Sequence, residues 1–227
     1  MVSRPLLLGH RGARADRSIP ENTFASFDRA LADGCDGFEF DVRLTADKAV
    51  IVCHDPKAGK IKIAKAKAEE LPALPQLQDV LQRYHERAFL DIELKIAGAE
   101  KATADFLRQF PPRGGFVVSS FVPGVLRLMQ TENSEIPLGL ICETKTQLAR
   151  WRKLPVQYVI ARQDLVGQNL VGQNLVGQNL VRELKDAGKK LLVWTVNEPA
   201  EMKRLAEWGV DGIISDDPKL LVQTLAH

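Results

Sequence analysis

Neither sign of charge dominates this chain: 31 Lys and Arg stand against 29 Asp and Glu, a formal balance of 31 − 29 = +2. That is too small to make nucleic acid or an anionic membrane the expected partner. Cysteine is scarce too. Cys35, Cys53 and Cys142 are an odd number at wide spacings, which fits neither a disulfide framework nor a paired zinc site, so they read as reduced thiols. Long apolar runs are missing. The opening ten residues hold one apolar triplet where a secretion signal needs a longer core, and no later segment could span a bilayer, which makes the cytoplasm the expected location. Aromatics are only 6%, with neither an aromatic cluster nor an amphipathic basic helix for a membrane surface, so no membrane partner is expected. What remains is an ordinary globular composition, 45% hydrophobic and 26% charged over 227 residues, enough for one sizeable core.

Short apolar runs alternate with amphipathic stretches along the whole chain, the pattern of βα units around a parallel sheet. Strands are expected at Leu6–His10, Gly37–Val42, Phe89–Leu94, Phe116–Ser120, Leu138–Cys142, Tyr158–Ala161, Leu191–Val196 and Gly212–Ser215. Eight strands in a chain of this length predict a single α/β domain over residues 1–227, a TIM-type (β/α)8 barrel. Helical patterns lie between them, as in Glu21–Ala32, Leu77–Arg83, Lys101–Arg108 and Pro199–Glu207; Gly34 and Gly209 suit C-terminal caps. A ninth run, Ala49–Cys53, follows the second strand after only Thr45-Ala46-Asp47-Lys48, too short for a parallel crossover. It reads as a hairpin return that brings His54 level with Glu39 to Asp41. The short insertion that follows, Lys57 to Glu70, alternates Lys with Ala and Ile and reads as a solvated loop or frayed helix.

Between Leu165 and Val181 the pentapeptide Leu-Val-Gly-Gln-Asn occurs three times in tandem. Five residues advance a helix by about 500°, so the leucines spread around its axis, and each glycine costs about 1 kcal/mol relative to alanine. A good amphipathic helix is therefore not expected. One copy would join Asp164, as N-cap, to the helix that ends before Gly188, and the extra copies read as a surface insertion on the catalytic face. Exposed leucines would alternatively make a lid or a dimer contact.

Glu39 and Asp41 stand two residues apart near the end of a strand, so both carboxylates face one way, and Glu93 and Lys95 repeat the spacing on the next barrel strand. Three converging carboxylates resist burial unless a hard divalent ion neutralises them; oxygen-only ligation suits Mg²⁺ or Ca²⁺. His10-Arg11-Gly12 and His54-Asp55 also lie at strand ends, the face on which such barrels place their active sites. Two imidazoles beside a metal can serve as general acid and base, and Arg11 and Lys95 supply fixed charge for a phosphate. The chemistry these residues fit is cleavage of a small phosphodiester.

The ordered set Gly9-His10-Arg11-Gly12, Pro20-Glu21-Asn22-Thr23, Glu39-Phe40-Asp41-Val42, His54-Asp55, Ile92-Glu93-Leu94-Lys95, Trp194-Thr195-Val196-Asn197 and Gly209-Val210-Asp211-Gly212-Ile213-Ile214-Ser215-Asp216 resembles the glycerophosphodiester phosphodiesterase family over nearly the whole chain. The resemblance implies hydrolysis of glycerophosphodiesters to sn-glycerol 3-phosphate and an alcohol with a divalent metal. It implies Glu39, Asp41 and Glu93 as metal ligands, His10 and His54 as the acid/base pair, and Arg11 and Lys95 as phosphate contacts. Glu21 could orient Arg11 or His10, and Trp194 could wall the glycerol or alcohol pocket. A phospholipase-D-like enzyme on lysophospholipids, or an inactive barrel scaffold, are the rival readings; a monomer or a homodimer through the repeat fits either.

Overall fold

The computed structural model describes residues 4–167 and 174–225. In chain order the elements are β1 (Leu6–His10), α1 (Phe24–Ala32), β2 (Gly37–Leu44), β3 (Val50–Val52), β4 (Lys57–Ala58), β5 (Ile61–Lys62), α2 (Leu77–Tyr84), β6 (Phe89–Leu94), α3 (Glu100–Gln109), β7 (Phe116–Ser120), α4 (Pro123–Glu132), β8 (Leu138–Cys142), α5 (Lys145–Leu148), β9 (Tyr158–Arg162), α6 (Gln163–Val166), α7 (Asn174–Asp186), β10 (Lys190–Trp194), α8 (Pro199–Trp208), β11 (Gly212–Ser215) and α9 (Pro218–Leu225). The sheet runs β1-β11-β10-β9-β8-β7-β6-β2 and closes through a parallel β1–β2 pairing, Leu8 beside Gly37 and His10 beside Glu39. These eight parallel strands form the barrel.

Strand alternation divides the side chains between two cores. On β2, Phe38, Phe40 and Val42 point outward and pack with Phe27 and Tyr84 beneath the helices. Leu8, Phe89, Val117, Ile141, Tyr158, Ile160, Leu192 and Ile214 fill the barrel axis. The alternate residues of β2 and β6 are the carboxylates, so the pattern that buries the phenylalanines outward also turns Glu39, Asp41 and Glu93 into the barrel mouth.

The hairpin expected from the short turn is present: β3 runs antiparallel to the upper end of β2, pairing Val42 with Val52 and Leu44 with Val50. Thr45 closes its turn, accepting from the amide of Ala49 at 2.9 Å. Residues 57–70 are more ordered than a frayed loop. A two-stranded β4–β5 ribbon and two 3₁₀ turns bury Ile63 and Ala66 against Ile51 and Leu71.

Other boundaries shift by a residue or more. α1 begins at Phe24 because Thr23, in extended geometry, caps it by accepting from Ser26 N. Asp164 is no cap. It lies within α6, paired to Arg162 at 2.7 Å, and Arg162 itself holds the N-cap position. Part of the repeat, residues 168–173, lies outside the described residues, and with it part of the lid or dimer reading; the third copy enters the amphipathic helix α7, contrary to the glycine argument. Leu165 and Leu180 pack against the core beside buried Val166 and Val181. No described helix is long and apolar enough to cross a membrane.

Candidate active site

The carboxyl ends of the barrel strands surround a cavity of about 210 Å³ lined by His10, Arg11, Glu39, His54, Asp91, Glu93, Lys95, Phe121, Ile141, Glu143, Ile160, Trp194 and Ile214. Its deep wall is the carboxylate triad. One oxygen from each of Glu39, Asp41 and Glu93 lies within 4.8 Å of the others, and all three residues are buried. Burial raises the Glu39 carboxyl well above its usual range, reinforced by the charges of Asp41, Glu93 and Asp91. Glu93 is pushed up to about 8 by burial and by Asp41, against the pull of Lys95. Asp41 behaves oppositely: burial opposes its ionisation, but Lys95, Arg11 and an Asn22 hydrogen bond outweigh it and hold the carboxyl below its usual range.

Two cations reach into this wall. Lys95 Nζ stands 2.8 Å from Glu93 Oε1 and 3.1 Å from Asp41 Oδ1. Arg11 places Nε 3.3 Å from Asp41 Oδ2 and donates from its NH1 group to Glu21 Oε1 at 2.8 Å, so Glu21 orients Arg11. The local chain makes this possible. Arg11 has φ 51° and its amide donates to Glu39 Oε2 at 3.0 Å. Gly12 follows at φ +84°, where a Cβ would lie 2.3 Å from Ser26 Oγ, so the turn that presents His10 and Arg11 requires glycine there.

Each histidine has one ring nitrogen committed to a carboxylate. His10 Nδ1 lies 2.6 Å from Asp216 Oδ1, while its Nε2 faces the triad 3.8 Å from Glu39 Oε2. His54 Nδ1 lies 2.8 Å from Asp55 Oδ1, and Arg43 fixes the loop by donating twice to the His54 carbonyl at 2.6 and 2.8 Å. Burial lowers the His54 pKa, with Asp41 and Asp55 pulling the other way. With an ionised carboxylate at Nδ1, the hydrogen belongs on that nitrogen and the Nε2 lone pair faces away. The return strand achieves what the short turn implied: the Cys53 amide donates to the Asp41 carbonyl at 2.9 Å, and His54 reaches the same cavity as Glu39.

Trp194 and Phe121 also line the cavity as an edge-on pair, centroids 5.7 Å apart, with Trp194 Nε1 donating to the Ile160 carbonyl and the Phe121 ring centre 5.7 Å from Lys95 Nζ. Every residue singled out in the sequence, His10, His54, Arg11, Lys95, Trp194, Glu39, Asp41 and Glu93, is thus at this mouth.

Sequence reasoning passed over several others. Asn22, at φ 58° in Pro-Glu-Asn-Thr, donates from Nδ2 to Asp41 Oδ2 at 2.9 Å. Asp216 gathers His10, Arg14 and Asn197, whose bonds override burial and hold its carboxyl far below the usual range. Asp91 is fully buried under the triad. Its Oδ1 accepts from Ser119 Oγ at 2.6 Å, its Oδ2 has no partner, and burial pushes its pKa to about 7. Asp91 carries the same signal as Glu93, an acid at inward spacing on one strand, and Asn22 and Asp216 sit inside the motifs; nothing in the sequence marks Phe121.

The donor set fits a hard divalent ion. The three candidate donors are carboxylates alone, and Asp41 Oδ1, fully buried, makes no hydrogen bond although Lys95 is close. Comparisons with known proteins identify the family. The sequence profile of the glycerophosphoryl diester phosphodiesterase family matches residues 10–220. A glycerophosphodiester phosphodiesterase of Caldanaerobacter subterraneus is 28% identical over 96% of this chain and 97% of its own. The crystal structure of a glycerophosphodiester phosphodiesterase from Thermotoga maritima superposes with a TM-score of 0.82 at 23% identity, covering 97% of this chain and 98% of that one. An Oleispira antarctica phosphodiesterase, solved with its product sn-glycerol-3-phosphate, gives 0.80 at 25% identity, covering 97% and 96%.

Proposed function

Because the chain belongs to the glycerophosphoryl diester phosphodiesterase family and is an enzyme of that class, we propose that it hydrolyses small glycerophosphodiesters to sn-glycerol 3-phosphate and an alcohol, with Mg²⁺ or Ca²⁺ held by Glu39, Asp41 and Glu93. The observation that carries this reading is one cavity in which an oxygen-only triad, two imidazoles tethered at Nδ1 and two cations stand together. The product found in the Oleispira antarctica relative supports the identity of the released phosphate.

An ion held by Glu39, Asp41 and Glu93 would neutralise their charge and that developing on the phosphate. Arg11 and Lys95 bind the phosphate oxygens, Arg11 with a fork that Glu21 holds in place. One imidazole, neutral with its Nε2 lone pair free, removes a proton from the attacking water, and the other, protonated on Nε2 as well as on Nδ1, gives its Nε2 proton to the oxygen of the departing alcohol; proton exchange with solvent restores both before the next turnover. Trp194 and Phe121 wall the organic part of the substrate. Asp91 and the inner barrel core close the floor of the cavity, which opens to solvent at its mouth beside His54. We place the reaction in the cytoplasm, where Cys35, Cys53 and Cys142, none of them disulfide-bonded, stay reduced, in a monomer or homodimer.

The test is release of sn-glycerol 3-phosphate from glycerophosphocholine and glycerophosphoethanolamine by chelator-treated protein, with Mg²⁺, Ca²⁺ or nothing added back. Release restored by one of the ions is expected. His10→Ala and His54→Ala are each expected to lower kcat by about 10²- to 10⁴-fold. No release with any ion, or full activity in either variant, overturns the assignment.

A further inference from the structure

The catalytic face carries more than the cavity, and its surface is electrically lopsided. The segments that follow β1, β9, β10 and β11 hold Asp16, Glu21, Asp164, Glu198, Asp216 and Asp217 against Arg14 and Arg162, both committed to ion pairs, and the exposed Arg17. The insertion above β2 and β3 leans the other way, with five lysines against Glu69 and Glu70. Lys57, Lys60, Lys62 and Lys65 are exposed on the β4–β5 ribbon and its flanks, and none forms an ion pair among the described residues; only Lys67 does, with Glu69. On the far side of the β6–α3 loop, Arg127, Arg150 and Lys153 line one open cleft with Pro123 and Leu154, again without an ion-pair partner among the described residues.

Apolar exposure follows the same division. The exposed large hydrophobic side chains among the described residues are Ile61 at 42%, Val122 at 42% and Leu128 at 48%. Ile61 sits at the turn of the lysine ribbon, Val122 directly precedes α4, and Leu128 lies on α4 next to Arg127. Scattered singly these would need no explanation. All three, however, fall within the two cationic groups, on the elements that follow β3 and β7 at the mouth end of the barrel.

We propose that this half of the catalytic face is a docking surface for an anionic phospholipid bilayer, with the lysines and arginines over the headgroups and Ile61, Val122 and Leu128 entering the interface. Charge complementarity selects the partner: like charges gathered without counter-ions repel one another, and an anionic surface removes that repulsion. The aliphatic side chains select a lipid interface over nucleic acid, since Trp151, the aromatic ring between Arg150 and Lys153, is buried with the Arg152 guanidinium 4.8 Å from its ring centre and offers no open face on which a base could stack. Seated this way, the acidic half of the face tilts away from the surface, and the cavity opens beside the bilayer. The whole-chain balance of +2 concealed this, because both signs are segregated on one face.

The experiment is co-sedimentation of the full chain with vesicles of phosphatidylcholine alone and of phosphatidylcholine mixed with phosphatidylglycerol. Binding to the mixed vesicles only, weakened by salt, is expected. Each charge removed in Lys60→Gln, Lys62→Gln, Lys65→Gln or Arg127→Gln weakens partition by about fivefold. Ile61→Ser and Leu128→Ser weaken it too, and turnover of soluble glycerophosphocholine stays unchanged in all six variants. No binding to anionic vesicles at low salt overturns the proposal. So does binding unaffected by the charge variants, and binding that salt abolishes but the serine variants leave intact reduces it to simple ionic adsorption, which also refutes it.

Discussion

Asp216 makes no contact with the triad, yet it decides where a catalytic imidazole points. Its Oδ1 holds His10 Nδ1 at 2.6 Å, and its Oδ2 is held in turn by Asn197 Nδ2 at 2.9 Å. Burial works against its charge, but His10, Asn197 and Arg14 outweigh burial and keep the carboxyl far below its usual range. A depressed carboxylate stabilises the fold above its unfolded pKa, about 4, and that contribution is lost as pH falls below this value. Asp216→Asn is therefore expected to be less stable than the parent chain at pH 7, with the gap narrowing in acid, as measured by urea unfolding at several pH values. Activity should fall as well, by roughly 10- to 100-fold with little change in KM, because the amide can present a hydrogen to Nδ1 and turn the lone pair away from the cavity. An Asp216→Asn enzyme with the parent pH–rate profile would refute the orienting role. Asp216 and Asn197 lay in plain view inside two motifs, but the motifs do not say that residues 19 positions apart close a ring around His10. Spacing along one strand is legible from sequence; pairing across the barrel seam is not.

Strands were the most legible elements, because a parallel barrel imposes one apolar run per strand: Leu6–His10, Phe89–Leu94, Phe116–Ser120, Leu138–Cys142 and Gly212–Ser215 fall where the pattern put them. Alternation within a run also placed the site, since Glu39, Asp41 and Glu93 interrupt apolar strands at inward positions. The repeat was less legible because intrinsic propensity misjudges a glycine that tertiary packing requires. A Cβ at Gly177 would lie 1.9 Å from the Val166 carbonyl oxygen and 2.4 Å from the Trp208 ring, so the third copy's glycine is where α7 presses against α6 and α8. Gly177→Ala is expected to cost about 1–3 kcal/mol despite the gain in helix propensity. Gly124, in the first turn of α4, meets nothing within 4 Å, and Gly124→Ala should be neutral or stabilising by up to about 1 kcal/mol. Chemical denaturation of the two variants distinguishes packing from propensity; equal effects would mean that Gly177 has no special contact.

At the scale of the whole molecule, the barrel closes on its own electrostatic difficulty. β2 and β6 lie side by side in register, Asp41 opposite Glu93, so pairing these strands correctly brings two carboxylates together with Glu39 beside them. Lys95 and Arg11 relieve part of this, yet Glu39 and Glu93 are still driven toward their protonated forms by burial and by the neighbouring carboxylates. A divalent ion that replaces those protons must bind the folded barrel and not the unfolded chain, so it stabilises the fold and releases protons on binding. At a concentration one hundred times its Kd the gain is about 2.7 kcal/mol, which for a chain of this size corresponds to a rise in Tm of about 5–10 °C. Scanning calorimetry of chelator-treated protein with and without Mg²⁺ or Ca²⁺ reads this directly, without any substrate. In Asp41→Asn and Glu93→Gln the rise should shrink strongly, since each removes one of three charged ligands. A rise of equal size in both variants would place the ion elsewhere and leave the triad as a network balanced by Lys95 and Arg11 alone.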